Sequence, residues 1–318
     1  MIVERTHFVA MAALLLGLAH TALAEDSATY TLRYRFEPGE VVRWKVEQQA
    51  RVETIISGTK QTADTVSRSV KVWRVADVAD SGAMTVEHAV ESIDMYQKVT
   101  GREEVRYNSI TDDEPPIEFA AAAKAVGKPL VLITIDARGT VAERKLLDPS
   151  QQKNDGQLLL PMPEGPVQIG DHWTEMHEVD VTQENGVHKK IKTRQKFTLE
   201  EVEAGIATIR VATEILSPIH DPKIEAQLVQ ITKHGRVKFD VERGRLIHQQ
   251  LDLDERVHEF SGESSVMHYV TRFTEEILPS TAEAAVETQQ TAGPVLPPSA
   301  ESTTDRSSRR PQESGRKR

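Results

Sequence analysis

Two stretches decide how this chain is read: VLITIDARGTVAERKLL at positions 131–147 and RVKFDVERGRLIHQ at positions 236–249. Each alternates apolar and polar residues up to an aspartate (Asp136, Asp240) and turns at a glycine (Gly139, Gly244). Each then leaves through a second alternating run that starts at Val141 or Leu246. Alternation with period two gives a strand one apolar face, and the Asp and Gly between the runs supply a turn. Both stretches therefore read as hairpins, and the return of the pattern predicts two halves built on one plan.

Working outward in the first half, residues 30–36 set Tyr30, Leu32, Tyr34 and Phe36 on one face and Thr31, Arg33 and Arg35 on the other, which reads as a half-buried strand. Pro38 and Gly39 break it. An apolar face then continues through Val42, Trp44, Val46, Ala50, Val52 and Ile56, turns at 57–60 (SGTK), and returns through Val70, Val72 and Val75. A two-residue loop at Gly58 and Thr59 would set Trp44 opposite Trp73. Further strands are expected at 84–96 and 104–108. Pro115 and Pro116 end this meander, and the alanine-rich segment 117–126 reads as the one short helix, stopped by Gly127 and Pro129.

Proline and glycine crowd 160–166 (LPMPEGP), and the boundary between a first β-rich half (25–156) and a second (157–278) is expected there. Gly170, Asp171, His172 and Trp173 echo the start of the first long hairpin, with a turn expected at Asn185 and Gly186 and an aromatic return residue at Phe197. Val75, Val78, Gly82 and Val86 match Leu199, Val202, Gly205 and Ile209. Strands at 224–232, 237–241, 245–260 and 265–278 bring the total to about fourteen. The expected fold class is mainly β: two repeated antiparallel meander halves forming long curved sheets, half-barrel or sandwich-like, with one short helix.

The 318 residues contain no cysteine and carry a formal net charge of -10. Residues 1–24 have Arg5, an apolar run over 9–19, and Ala22, Leu23 and Ala24 at the end, the pattern of a signal peptide. No later run approaches the roughly 18 apolar residues of a membrane-spanning helix. The expectation is an exported protein, periplasmic or secreted, with no transmembrane segment, no disulfide and no lipid-anchoring cysteine. Residues 279–318, rich in Ser, Thr, Ala, Pro and Gln with a basic end, read as a disordered tail. The acidic body is not that of a nucleic-acid binder.

The Gly-acid-x-Trp strand start, the long hairpins, the alanine-rich helix, and then Gly127-Lys128-Pro129-Leu130 leading to Ile135-Asp136-Ala137-Arg138-Gly139-Thr140-Val141 resemble a family of exported bacterial proteins known only as a domain of unknown function. The resemblance covers roughly 30–278 and implies no catalytic residues. A helix lying across long curved strands also resembles, in architecture alone, the half-barrel carriers of lipoproteins, which implies an acyl chain on a concave face.

Motifs for chemistry are sparse. Ser57 to Lys60 fits S-x-x-K, but it falls in a predicted turn with no S-D-N or K-T-G elsewhere. His172 and His177 are five apart and so face opposite sides of a strand. A turn at Gly262 and Glu263 would set His258 beside Met267 and His268 beside Val257, apart from each other and from His248. Asp252, Asp254 and Arg256 read as a solvated row. No metal or cofactor site is expected. The reading is a non-enzymatic binding or interaction protein of the cell envelope with an unknown protein, glycan or lipid partner. One alternative is a carrier of a lipid or other apolar ligand, with Ile117, Phe119 and Val126 of the helix as a ligand lid; another is a hydrolase with an unrecognised site. A carrier needs a cavity of several hundred Å3.

Overall fold

The computed structural model describes residues 28–147, 159–184 and 186–280. The expected leader 1–24, nearly all of the expected tail and Asn185 lie outside the described residues. The first half contributes β1 (Val41–Ile56), β2 (Thr59–Val78), β3 (Met84–Val99), β4 (Val105–Asn108), helix α1 (Ala120–Ala125), β5 (Pro129–Ile135) and β6 (Val141–Leu146). The second contributes β7 (His172–Thr182), β8 (His188–Glu203), β9 (Ile206–Ile215), helix α2 (Pro222–Leu228) with a 3-10 turn over Val229–Ile231, β10 (His234–Asp240), β11 (Arg245–His258) and β12 (Val266–Ile277). All twelve strands join one open antiparallel sheet in the order β6-β5-β3-β2-β1-β12-β11-β10-β9-β8-β7, with β4 beside β3. The fold is mainly β, as the alternation implied.

Both halves run in the same direction along the sheet, and β12 fills the seam between β1 and β11. Two of their irregularities correspond, while the shifts at Val70/Lys71 and His88/Ala89 belong to the first half alone. The β2–β3 ladder shifts register between Val75 and Asp77 and the β8–β9 ladder between Leu199 and Glu201; β5–β6 shifts between Thr134 and Ile135 and β10–β11 between Lys238 and Phe239. Each shift bends its strand and sharpens the twist at the same point of each half.

Details of pairing depart from expectation. The first long hairpin turns on Ser57 and Gly58, both at positive φ, so Trp44 pairs with Lys71 and lies diagonal to Trp73, their rings edge-on at 5.3 Å. In the second, the five-residue loop 183–187 sets Trp173 directly opposite Phe197, stacked at 5.7 Å. Two expected strands are not ladder strands. Residues 30–36 keep their alternation but form a strap, and 224–232 is α2 with its 3-10 turn. Helix wins there because Asp221 caps it, accepting from the Lys223 amide at 2.9 Å, and Pro222 occupies the first helical turn, where a missing N–H costs nothing. Among the described residues there are therefore two short α-helices where one was expected.

Eleven strands laid flat at about 4.8 Å spacing would hold the edges roughly 50 Å apart. Instead the sheet curls. One core gathers Trp44, Trp73, Val75, Met84 and Ile133 with Phe197, Ile209, Val237 and Phe239 of the second half, and Leu32, Tyr34 and Phe36 lie between them. The segment expected as a boundary is buried here too, through Leu159, Leu160, Met162 and Val167. On the concave side α2 buries Ile224 and Leu228 against Val181 of β7 and Ile191 of β8, while Val229 packs with Leu253, Val257 and Tyr269 of β11 and β12. It ties together strands that are far apart in the sheet order.

The strap is gripped by the two matching turns. Tyr34 N–H donates to Ala137 C=O at 2.8 Å, and the next amide, of Arg35, donates to Gly244 C=O at 2.9 Å, as successive amides of an extended chain point opposite ways. Asp136 accepts from the amides of Arg138 and Thr140 and Asp240 from that of Arg243, so each aspartate holds its own turn. A Cβ on Gly139 would stand 2.8 Å from the Tyr34 ring, and one on Gly244 would stand 2.6 Å from Arg33 C=O. Both glycines also have positive φ.

Gly139→Ala and Gly244→Ala should each destabilise by about 2–4 kcal/mol in urea unfolding. Gly58→Ala, with open space around it, should lose only the ~1–2 kcal/mol of a left-handed residue bearing a side chain. Equal losses at all three would show that the strap is not gripped.

Candidate functional site

The curl leaves a cavity of about 950 Å3 between the two edge strands. Alternation on β7 turns Glu175, His177 and Val179 inward, and the ladder continues this wall with Thr193 and Gln195 on β8 and Val211 and Thr213 on β9. Val141 and Arg144 of β6 face it from the opposite edge. Gly139, Thr140, Leu159 and Pro161 close one end; Gln230, Ile231 and Lys233, which follow α2, close the other. The lining is mixed, with apolar surface the larger part.

Its polar groups are unevenly satisfied. Thr193 donates to the His177 backbone carbonyl at 3.4 Å rather than to an imidazole, and Glu175 stands 4.0 Å from Arg138. Gln195 Oε1 is buried and has no hydrogen-bond partner among the described residues. Burial pushes the Lys233 ammonium below the usual lysine range. Among the described residues no group of three or more His, Cys, Asp or Glu could hold a metal ion.

A second cavity, about 480 Å3, overlies the centre of the sheet. It is bordered by compensating charges: Arg272 with Asp252 at 2.6 Å and Arg51 with Asp64 at 3.7 Å. Asp252 is thus ion-paired, while Asp254 stays solvated, with a side chain 71% exposed that meets His268 at 2.6 Å. His258 pairs with Val266 and His268 with Arg256, one residue away from the expected register, and His248 pairs with Glu276 and Lys238. The three histidines do not converge. His177 lines the large cavity and His172 does not. Lys60 ion-pairs with Glu53 beside the Ser57 turn.

The residues expected as a lid take separate places. Ile117 is 85% exposed; Phe119, at 6%, packs with Ile93 and Tyr107; Val126 joins that cluster from its rim. None of them lines either cavity. The element that does cross the concave face is α2, and Gln230, Ile231 and Lys233 escaped the sequence reading because 224–232 was read as strand. The signal was present in Asp221-Pro222 followed by Glu225.

A buried polar set lies on the inner face near the seam. Lys71 ion-pairs with Glu275, which also accepts from Gln249, and the Lys71 ammonium lies 4.5 Å from the Trp44 ring centroid. Such a pair resists any register in which its members part, since an orphaned buried charge costs several kcal/mol. Nearby His88 is held neutral: burial first, and then the Lys71 charge, push it from 6.5 down to about 4.

These features define a class: an open antiparallel sheet of twelve strands, curled around a cavity between its edges. No family model matches the chain, so the resemblance to the exported family gains no support from that comparison, and no curated protein matches either. Among solved structures, lipovitellin, described for its lipid–protein interactions, aligns with 77% of this chain at 10% identity and a TM-score of 0.40. The chain spans 26% of that protein's length. DynF, from the dynemicin biosynthesis pathway of Micromonospora chersina, aligns over 86% of this chain and 95% of its own at 5% identity and a TM-score of 0.20. Likeness at these levels carries no argument about fold or role.

His88 sets a pH dependence. Unfolded, its imidazole gains a proton near 6.5, whereas folded it gains one only near 4, so the unfolded chain binds protons preferentially between these values. Stability should fall as pH drops from 6.5 towards 4, by on the order of 3 kcal/mol. His88→Gln should flatten that part of the profile in urea unfolding from pH 4 to 7; an unchanged slope would exclude His88 as its source.

Proposed function

We propose that this chain is a non-enzymatic, exported envelope protein that carries a lipid or another amphipathic ligand between the edges of its curled sheet. The observation that carries this reading is the open cavity of about 950 Å3 bounded by β6 to one side and β7 to β9 on the other. That volume lies within the usual range of ligand sites, and its largely apolar lining with a few polar groups is the usual composition of one. Export is supported by the leader-like residues 1–24. The non-enzymatic reading is supported at one position, where the Thr193 hydroxyl is committed to a backbone carbonyl and so is not free to act as a nucleophile.

Thr213 is half-buried, faces the cavity and lies outside the main core, which makes it the place to fill the space without disturbing the fold. Thr213→Trp should keep the far-ultraviolet circular dichroism of the parent chain and lose at least tenfold in affinity for an apolar fluorescent probe. Unchanged probe affinity in a folded Thr213→Trp protein would place binding elsewhere.

A further inference from the structure

Lys233 stands out among the cavity's side chains. It follows the 3-10 turn that closes one end of the cavity, and it is half-buried. Among the described residues it has no ion-pair or hydrogen-bond partner, and desolvation is the one influence on its ammonium. The contrast with Lys71 is informative: it is also half-buried, and it has Glu275 for its charge and two tryptophan rings beside it. A protein that satisfies one half-buried ammonium in this way and leaves another facing a cavity has a place for an anion beside the second.

The rest of the lining says what such an anion is attached to. Val179, Val211, Ile231, Leu251, Leu159 and Val141 supply apolar surface along the cavity. A bare anion would leave that surface wet, and a neutral apolar molecule would strip water from Lys233 with nothing in return. A cationic head would be repelled at Lys233. We therefore propose that the ligand is a single-chain amphipath with a compact anionic head, a carboxylate or a phosphate monoester, and that Lys233 is the residue that holds the head. This rests on the carrier reading and narrows it.

Four C12 probes separate the alternatives: dodecanoate, dodecyl phosphate, dodecanol and dodecyltrimethylammonium, each titrated calorimetrically below its micellar concentration into the parent chain, Lys233→Met and Lys233→Arg. At least one anionic probe should bind the parent tenfold or more tighter than dodecanol, a difference of about 1.4 kcal/mol, and the tighter of the two identifies the head. Lys233→Met should erase that preference while leaving dodecanol affinity unchanged or improved, and Lys233→Arg should retain it. Thermal unfolding without ligand checks the fold, and Lys233→Met should melt no lower than the parent, because it removes a desolvated charge. Equal binding of dodecanol and the anions, or a Lys233→Met variant that weakens all probes alike, overturns the role of Lys233 but leaves the carrier standing. Failure of all four probes to bind overturns both.

Discussion

The architecture depends on one contact: residues 30–36 held between the Gly139 and Gly244 turns. An open antiparallel sheet of this width has no intrinsic reason to bring its two ends together, because strand twist alone leaves it splayed. The strap supplies the reason. Leu32, Tyr34 and Phe36 give the first-half strands and the second-half strands a common apolar surface, and the amides of Tyr34 and Arg35 join the two turns through adjacent residues. The Tyr34 hydroxyl adds a bond to Leu160 C=O at 3.0 Å, and burial raises its pKa well above the usual tyrosine range, so it stays a donor at any physiological pH. Around this grip the edge strands meet at a gap rather than a ladder, and the gap is the cavity.

Polar groups on the concave face follow from the same geometry. A sheet that packs fully on itself must be apolar throughout its inner face, whereas here Lys71, Gln249, Glu275, Thr193 and Gln195 all lie on it. Those near the seam satisfy each other, which fixes the register of β2, β1 and β12. Those near the edges line the cavity instead. Helix α2 tolerates this because its apolar side chains divide between two separate clusters, leaving the segment after it free to present Gln230 and Lys233 to the space beneath.

The strand content was legible because period-two alternation is a local signal, and the matching Asp136–Gly139 and Asp240–Gly244 turns were visible as spacing alone. What they grip was not, since the strap contacts residues more than a hundred positions away. Residues 30–36 alternate as any half-buried strand does, and alternation cannot tell a ladder strand from an extended segment buried on one side. Segment 224–232 was misread for a related reason: Ile224, Ala226 and Leu228 alternate, and the cap and proline that decide for helix stand just before them. Trp44 and Trp73 came out diagonal because the positive φ of Ser57 moved the turn by one residue. The cavity was invisible in the sequence, because its walls come from β6 through β9 and from β11, and Lys233 follows the element that was misread.

Hydrogen exchange at the amides of Tyr34 and Arg35, followed residue by residue in the native protein, tests the central role of the strap most directly. Neither amide belongs to a strand ladder, so each has slow exchange only if the grip of the two turns persists for as long as the fold does. The account predicts that both exchange as slowly as core amides of β2 and β8, through global unfolding. Exchange as fast as at chain termini, with β2 and β8 still protected, would contradict it and show that the sheet holds its curl without the strap.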